Sequence, residues 1–192
     1  TYLNNYISFS NEIPQAKQQI NPRLAQSISL NYKTAIAGLS ATQFLGTGSF
    51  YFPGLGVTHS LVISGAYQQK GANNSIGFSN DFPFSKGYTA ESLDKMQKFG
   101  ASYHFPIAYP DAGFGNLAYL LRVRGYLFYD HTHATDGSFL LNGKPFRADF
   151  RSVGAALFFD GKLFNQGSVS FGIRYSYLLD DDLFGGNGRN RI

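Results

Sequence analysis

Apolar residues recur at every second position, in run after run, and this alternation limits the fold more than any other feature of the chain. Ile28, Leu30, Tyr32 and Ile36 fall on one side, with Ser27, Ser29, Asn31 and Lys33 on the other. The same holds for Leu61, Ile63 and Tyr67 against Ser60, Ser64 and Gln68, and for Phe99, Ala101, Tyr103, Phe105 and Ile107 against Gly100, Ser102 and His104. The clearest run places Val169, Phe171, Ile173, Tyr175 and Tyr177 opposite Ser168, Ser170, Gly172, Arg174 and Ser176. A period of two is the signature of a β-strand with unlike faces. The chain is therefore expected to be all-β and antiparallel.

The lengths of the runs sharpen the expectation. They extend over about 9–14 residues, whereas globular strands average roughly 5–6 and a tilted membrane-crossing strand needs about 9–11. Connections also alternate in length. Those at 53–56, 109–116 and 160–167 read as short turns, and those at 70–98, 131–149 and 180–191 as long polar loops. Short turns at one end and long loops at the other are the pattern of a transmembrane β-barrel. A soluble β-sandwich explains the alternation but not the long strands with one-sided loops. Composition agrees with the barrel. Charged residues make up 15% of the chain, against about 25% in ordinary soluble domains. The aromatics are Phe 19 and Tyr 13, with no Trp, so Tyr and Phe would form the interfacial girdles. About eight strands are expected, and the whole of 1–192 reads as one portion of a barrel.

The segment 70–98 is out of character with the rest. Loops of this length in compact structures are usually functional or disordered, and Phe78, Phe82, Phe84 and Tyr88 argue against disorder. It is expected to pack into the barrel. Strand parity puts Arg122, Arg124, Tyr126, Phe128 and Asp130 on the inner wall, and Arg174 with them. Arg122, Arg124 and Arg174 are thus candidate lumen-lining residues, together with Lys33, Gln43 and His104.

Signatures of other chemistry are weak. No nucleophile-elbow, zinc-protease or phosphate-loop motif occurs, so neither an enzyme nor a cofactor is expected. Cys is absent, which excludes a disulfide framework. His131 and His133 have the spacing of a metal pair but no obvious third ligand, and Asp180, Asp181 and Asp182 read as a solvated acidic loop. The net charge of +4 is scattered, unlike a nucleic-acid patch. No signal peptide is visible at Thr1, as expected of a mature chain or a part of a larger one.

The order of motifs resembles a family. Tyr67-Gln68-Gln69 ends a strand, Phe84-Ser85-Lys86-Gly87-Tyr88 lies in the long loop, Phe105-Pro106 and Phe128-Tyr129-Asp130 end later strands, and Arg151-Ser152-Val153-Gly154 opens another. From Leu24 onward this resembles the C-terminal barrel of the outer-membrane assembly factors BamA and TamA, the bacterial surface-antigen superfamily. The resemblance implies the C-terminal half of a sixteen-stranded barrel in the bacterial outer membrane, with a last strand beginning near Arg191. It implies a function in assembling or inserting other proteins. The alternatives are a passive anchor, a subunit of a larger outer-membrane complex, or a pore. Implied partners are outer-membrane lipid and other outer-membrane or periplasmic proteins. The family's inward loop carries Val-Arg-Gly-Phe/Tyr, and Ser85-Lys86-Gly87-Tyr88 stands in its place, with Lys for Arg. The resemblance further implies that Lys86 approaches Asp130 with its stem over Phe128, that Gly87 makes the sharp turn and that Tyr88 packs beside it.

Overall fold

The computed structural model describes residues 1–14, 19–36, 38, 40–71, 74–115, 117–141, 143–164, 167–186 and 188–192. Among them there is no helix. The strands are β1 (Tyr2–Glu12), β2 (Ala25–Ala35), β3 (Thr42–Pro53), β4 (Ser60–Lys70), β5 (Lys95–Ala108), β6 (Ala112–Phe114), β7 (Ala118–Leu141), β8 (Lys144–Leu163), β9 (Gly167–Leu178) and β10 (Asn190–Arg191). Neighbours in sequence pair antiparallel in one continuous sheet, and only the short β6 lies off the path, against β7. The sheet is open among the described residues: β1 and β10 are its two ends and do not pair with each other. The expected last strand is present only as the two residues of β10, opposite Tyr177 and Ser176.

Antiparallel order puts 71–94, the β7–β8 tip and 179–189 at one end of the sheet. The segment 54–59, the connection through β6 and the turn after Leu163 lie at the other. Left-handed backbone at Asp111 and Phe164, with φ of 47° and 50°, tightens two of these short connections.

Two expectations need correction. The stretch 131–149 is not a loop: β7 has 24 residues and β8 has 20, and they pair without interruption from Phe128↔Gly154 to Asp136↔Phe146. The contrast of polarity fades on β7 at His131–His133 and inverts on β8, where Phe146, Ala148 and Phe150 take the covered face and Arg147, Asp149 and Arg151 the other, while the backbone ladder continues. The short strand expected at Tyr6–Phe9 is the middle of an 11-residue strand. At the short-turn end of β7, register slips between Leu120 and Arg122, which leaves Leu121 as a bulge.

The two faces of the sheet differ in what covers them. One is bare. Through the register, Ile63, Ala101, Tyr129, Val153 and Tyr177 form one row across β4, β5, β7, β8 and β9, and Tyr103, Leu127, Ala155 and Tyr175 another. Apolar side chains of this face are exposed, Leu127 at 53% and, in the row of Leu157, Ile173 at 65%. The other face carries the loop 71–94. Phe82, Tyr88 and Leu93 from the loop pack with Leu45, Met96, Phe146, Phe150 and Leu178 from four strands. Fully burying an aromatic or aliphatic side chain is worth about 1.5–3 kcal/mol, so this cluster is the main apolar attachment of the loop. At the short-turn end, the same face receives the segment before β2: the Asn21 amide donates to Ser60 Oγ at 2.9 Å.

Candidate functional site

One buried carboxylate is central to the attachment of the loop to the sheet. Asp130, in the middle of β7, is 1% exposed. Its Oδ2 accepts from Lys86 Nζ at 2.9 Å and from the Lys86 backbone N–H at 3.1 Å. Lys98 Nζ, from the neighbouring β5, stands 3.6 Å from the same oxygen. Lys86 Nζ also lies 4.7 Å from the centre of the Phe128 ring, in range of a cation–π attraction. A buried carboxylate is tolerated only with such partners, because desolvation without them costs several kcal/mol. Small residues make room for this grouping. A Cβ on Gly100 would come within 2.7 Å of Asp130 Oδ1, and one on Gly154 within 2.6 Å of the Phe128 ring.

The residues flanking Lys86 complete the attachment. Ser85 Oγ and Thr132 Oγ1 are 2.8 Å apart, and Lys98 Nζ donates to the Phe84 carbonyl at 3.1 Å. Gly87 turns the chain with φ of +90°, in the left-handed region that glycine adopts without penalty. A Cβ there would lie 2.7 Å from Ser176 Cβ. Tyr88 then inserts edge-on against Phe150, ring centres 5.3 Å apart. Its hydroxyl donates toward the Arg151 carbonyl at 2.7 Å and the Asp180 carbonyl at 3.0 Å, and accepts from the Asp180 N–H at 3.1 Å. Burial pushes the Tyr88 phenol above its ordinary pKa. Asp180 is in turn gripped by the Arg151 fork at 2.7 and 3.0 Å, which holds its carboxyl below the usual carboxylate range.

The structure therefore brings Lys86, Gly87, Tyr88, Phe128 and Asp130 into one cluster. No family model matches this chain, and no curated protein or solved structure matches it either.

The three candidate arginines divide differently. Arg122 Nε and Arg124 Nε both donate to Asp160 Oδ2, at 2.6 and 2.8 Å. Ser170 donates to the other oxygen at 2.6 Å. Arg124 covers the Phe158 ring at 4.7 Å, and Arg122 donates to the Gln19 carbonyl at 2.9 Å. Arg174 shares the face but joins neither ion cluster among the described residues. Lys33 pairs with Asp81 of the loop at 2.5 Å, and Gln43 donates to Gln68 at 3.1 Å. His131 and His133 sit on the bare face, both on Asp149 Oδ1, at 2.9 and 2.8 Å. The hydrogen bond from His131 leads the effects that keep the Asp149 carboxyl below its ordinary pKa.

Sequence reasoning missed Lys98, the Lys86 amide, Thr132 and Asp160. Parity would have found Lys98 and Thr132, which share the face of Asp130 in the period-two pattern.

Proposed function

We propose that the chain is the C-terminal portion of an outer-membrane β-barrel of the assembly or insertion type, with the loop 71–94 folded inward and further strands closing the sheet. Support for a membrane-spanning barrel comes from the bare face. Its apolar stretch runs over 99–107 on β5, 153–163 on β8 and 169–177 on β9, close to the ~9–11 residues of a tilted crossing strand. An uncovered apolar surface of this extent marks contact with lipid or another protein. The open ends at β1 and β9–β10 support a larger barrel. The observation that carries the assembly reading is the fastening of Lys86, Gly87 and Tyr88 onto Phe128 and Asp130, which is the arrangement implied by the resemblance to BamA and TamA. A loop packed over this face also works against an open pore.

The membrane reading is tested by a pair of variants. Ile173→Arg is expected to cost about 2–4 kcal/mol if the residue faces hydrocarbon, whereas Arg174→Gln, on the other face, is expected to change little. Folding into phosphatidylcholine vesicles with urea titration measures both. Equal effects would favour a soluble sheet. The assembly reading is tested by co-reconstituting the full chain with a urea-unfolded client barrel and following the client's folding by heat-modifiable mobility. An accelerated rate that falls with Asp130→Ala is expected. A client rate identical with and without the protein would sink this reading and favour a passive anchor.

A further inference from the structure

We propose that the short-turn end of the protein is set into the membrane, with the tips of its turns in the boundary between lipid acyl chains and headgroups; the proposal rests on the membrane reading above. Three consecutive connections at this end present large apolar side chains. Leu55 in the β3–β4 turn is 98% exposed, Phe114 at the end of β6 is 77% exposed, and Phe164 after β8 is 67% exposed. Turns in water are built chiefly from Gly, Pro, Asn, Asp and Ser. A single exposed apolar residue is ordinary, but repetition from turn to turn marks a contact surface.

Charge is also scarce here. The stretches 54–59 and 164–166 hold no Asp, Glu, Lys or Arg. The stretch 109–117 holds only Asp111, which accepts from the Tyr119 hydroxyl at 2.5 Å. At the opposite end of the sheet, 71–94 and 179–189 carry four charged residues each. The two ends are thus made for different surroundings. Phe164 adds a sign of its own. Its φ of 50° lies in the left-handed region, which a bulky residue enters only under strain. The side chain recovers little of that strain within the protein, which leaves most of it uncovered.

Lipid is the occupant because the turns continue the apolar face without a break. Phe50, Phe52, Leu61 and Ile63 of the bare face lead to the turn that carries Leu55. On β8, Leu163 closes the bare-face series that begins at Val153, and Phe164 follows it directly. The ten steps from Val153 to Leu163, at about 3.4 Å each and a tilt of about 35–45°, rise roughly 24–28 Å along the membrane normal, close to the ~25 Å apolar band of membrane barrels. Phe164 therefore falls at the edge of the hydrocarbon, the depth at which interfacial helices seat their apolar side chains. Beside it the bare face is hollow. Gly161 and the bulge at Leu121 leave a concavity of about 240 Å³, walled by Leu120, Phe159, Leu163, Val169 and Phe171. An acyl chain suits this lining, whereas a polar segment of another protein would find few partners in it.

The chain has no Trp, so one introduced Trp reports on one position. The full chain carrying Leu55→Trp, Phe114→Trp or Phe164→Trp is folded into phosphatidylcholine vesicles, and heat-modifiable mobility verifies each variant. The lipid is brominated near either the glycerol end or the methyl end of its acyl chains, and bromine quenches a nearby Trp. All three variants are expected to lose emission, and to lose more of it to bromine at the glycerol end. Leu157→Trp, midway along the bare face of β8, is expected to lose more to bromine at the methyl end. Lys144→Trp, at the tip of the β7–β8 hairpin, is expected to keep its emission with both lipids. Unquenched Phe164→Trp beside quenched Leu157→Trp would overturn this proposal alone. If its emission then moved to shorter wavelength as protein density in the vesicles rose, the rim would belong to a second copy of the chain; if it stayed at the wavelength of Trp in water, the rim would be bare. Unquenched Leu157→Trp would sink the membrane reading and this proposal together.

Discussion

Asp130 and Asp160 lie on the same face of the sheet, and each is held by two cations, yet the two clusters do opposite things. The cations of Asp160 are Arg122 and Arg124, both from the adjacent β7. Through Asp160 that cluster joins β8 to its two neighbours β7 and β9, which the backbone ladders already do. The cations of Asp130 come from different places: Lys98 from β5, and Lys86 from a loop some forty residues earlier in the chain. Removal of Asp160 leaves the wall standing. Removal of Asp130 takes away the buried ion cluster that holds Lys86 of the loop. The lesson is that the worth of an ion pair in a sheet depends less on its geometry than on whether the strands would stay together without it.

Asp130→Ala against Asp160→Ala tests this contrast most severely. Loss of Asp130 leaves Lys98 buried at 8% side-chain exposure and Lys86 at 28%, and an uncompensated buried charge costs about 3–5 kcal/mol. Loss of Asp160 is expected to cost about 1–3 kcal/mol, the range for losing hydrogen bonds to charged groups, since Arg122 keeps the Gln19 carbonyl and Arg124 keeps the Phe158 ring. Amine labelling of Lys86 in vesicles gives the qualitative difference: exposure in Asp130→Ala and protection in Asp160→Ala. Equal protection in both would erase the distinction.

Gly87→Ala attacks the same attachment without touching a charge. The left-handed φ costs a non-glycine residue about 1–3 kcal/mol, and the approach of Ser176 Cβ to 2.7 Å adds to it. Faster proteolysis within 71–94 is expected, with the sheet intact. Unchanged proteolysis would mean that the loop is held by its apolar cluster alone.

Lys86→Met is milder. It retains a stem over Phe128, the backbone N–H still donates to Asp130, and Lys98 remains as counter-charge. A cost of about 1.5–3 kcal/mol is expected, that of one charge-assisted hydrogen bond, read from urea titration. A loss as large as that of Asp130→Ala would show that Lys98 does not compensate.

How much of this was legible in the sequence depends on the part of the molecule. Strands with one apolar and one polar face were plain, because lipid-like exposure and loop packing demand unlike side chains on the two faces. The extension of β7 and β8 beyond Tyr129 was not, because His131, Thr132, His133 and Asp149 give no contrast of polarity to read. On β8 the phase of the alternation inverts, with Phe146 and Phe150 inside and Arg147 and Asp149 outside, so both phenylalanines read as loop residues although they form part of the core. Asp130 and Phe128 were found because parity fixes the face and the resemblance supplies the partner. Lys98 read as the end of a loop, and no sequence pattern reports a backbone amide such as that of Lys86. The pairing of Arg122 and Arg124 was hidden because Asp160 read as a turn residue, while β8 continues to Leu163.

The smallest expected effect concerns acid, at the far edge of the Asp130 attachment. The Asp180 carboxyl is held below its ordinary pKa by Arg151, and its own N–H donates to the Tyr88 hydroxyl at 3.1 Å. A carboxyl whose folded pKa is depressed contributes stability that is fully present above its unfolded value, about 3.9. Between the two values the unfolded state binds more protons, so the contribution is lost as pH falls through the folded pKa. The Asp180–Arg151 pair is exposed enough for solvent to screen it, so only local loosening is expected, not unfolding. Amide hydrogen exchange at Asp180, expressed as protection over the unstructured rate, is expected to fall below about pH 4. In Asp180→Asn the protection should be lower at neutral pH and nearly flat in this range. An acid step of equal size in Asp180→Asn would show that Tyr88 is released by some other group.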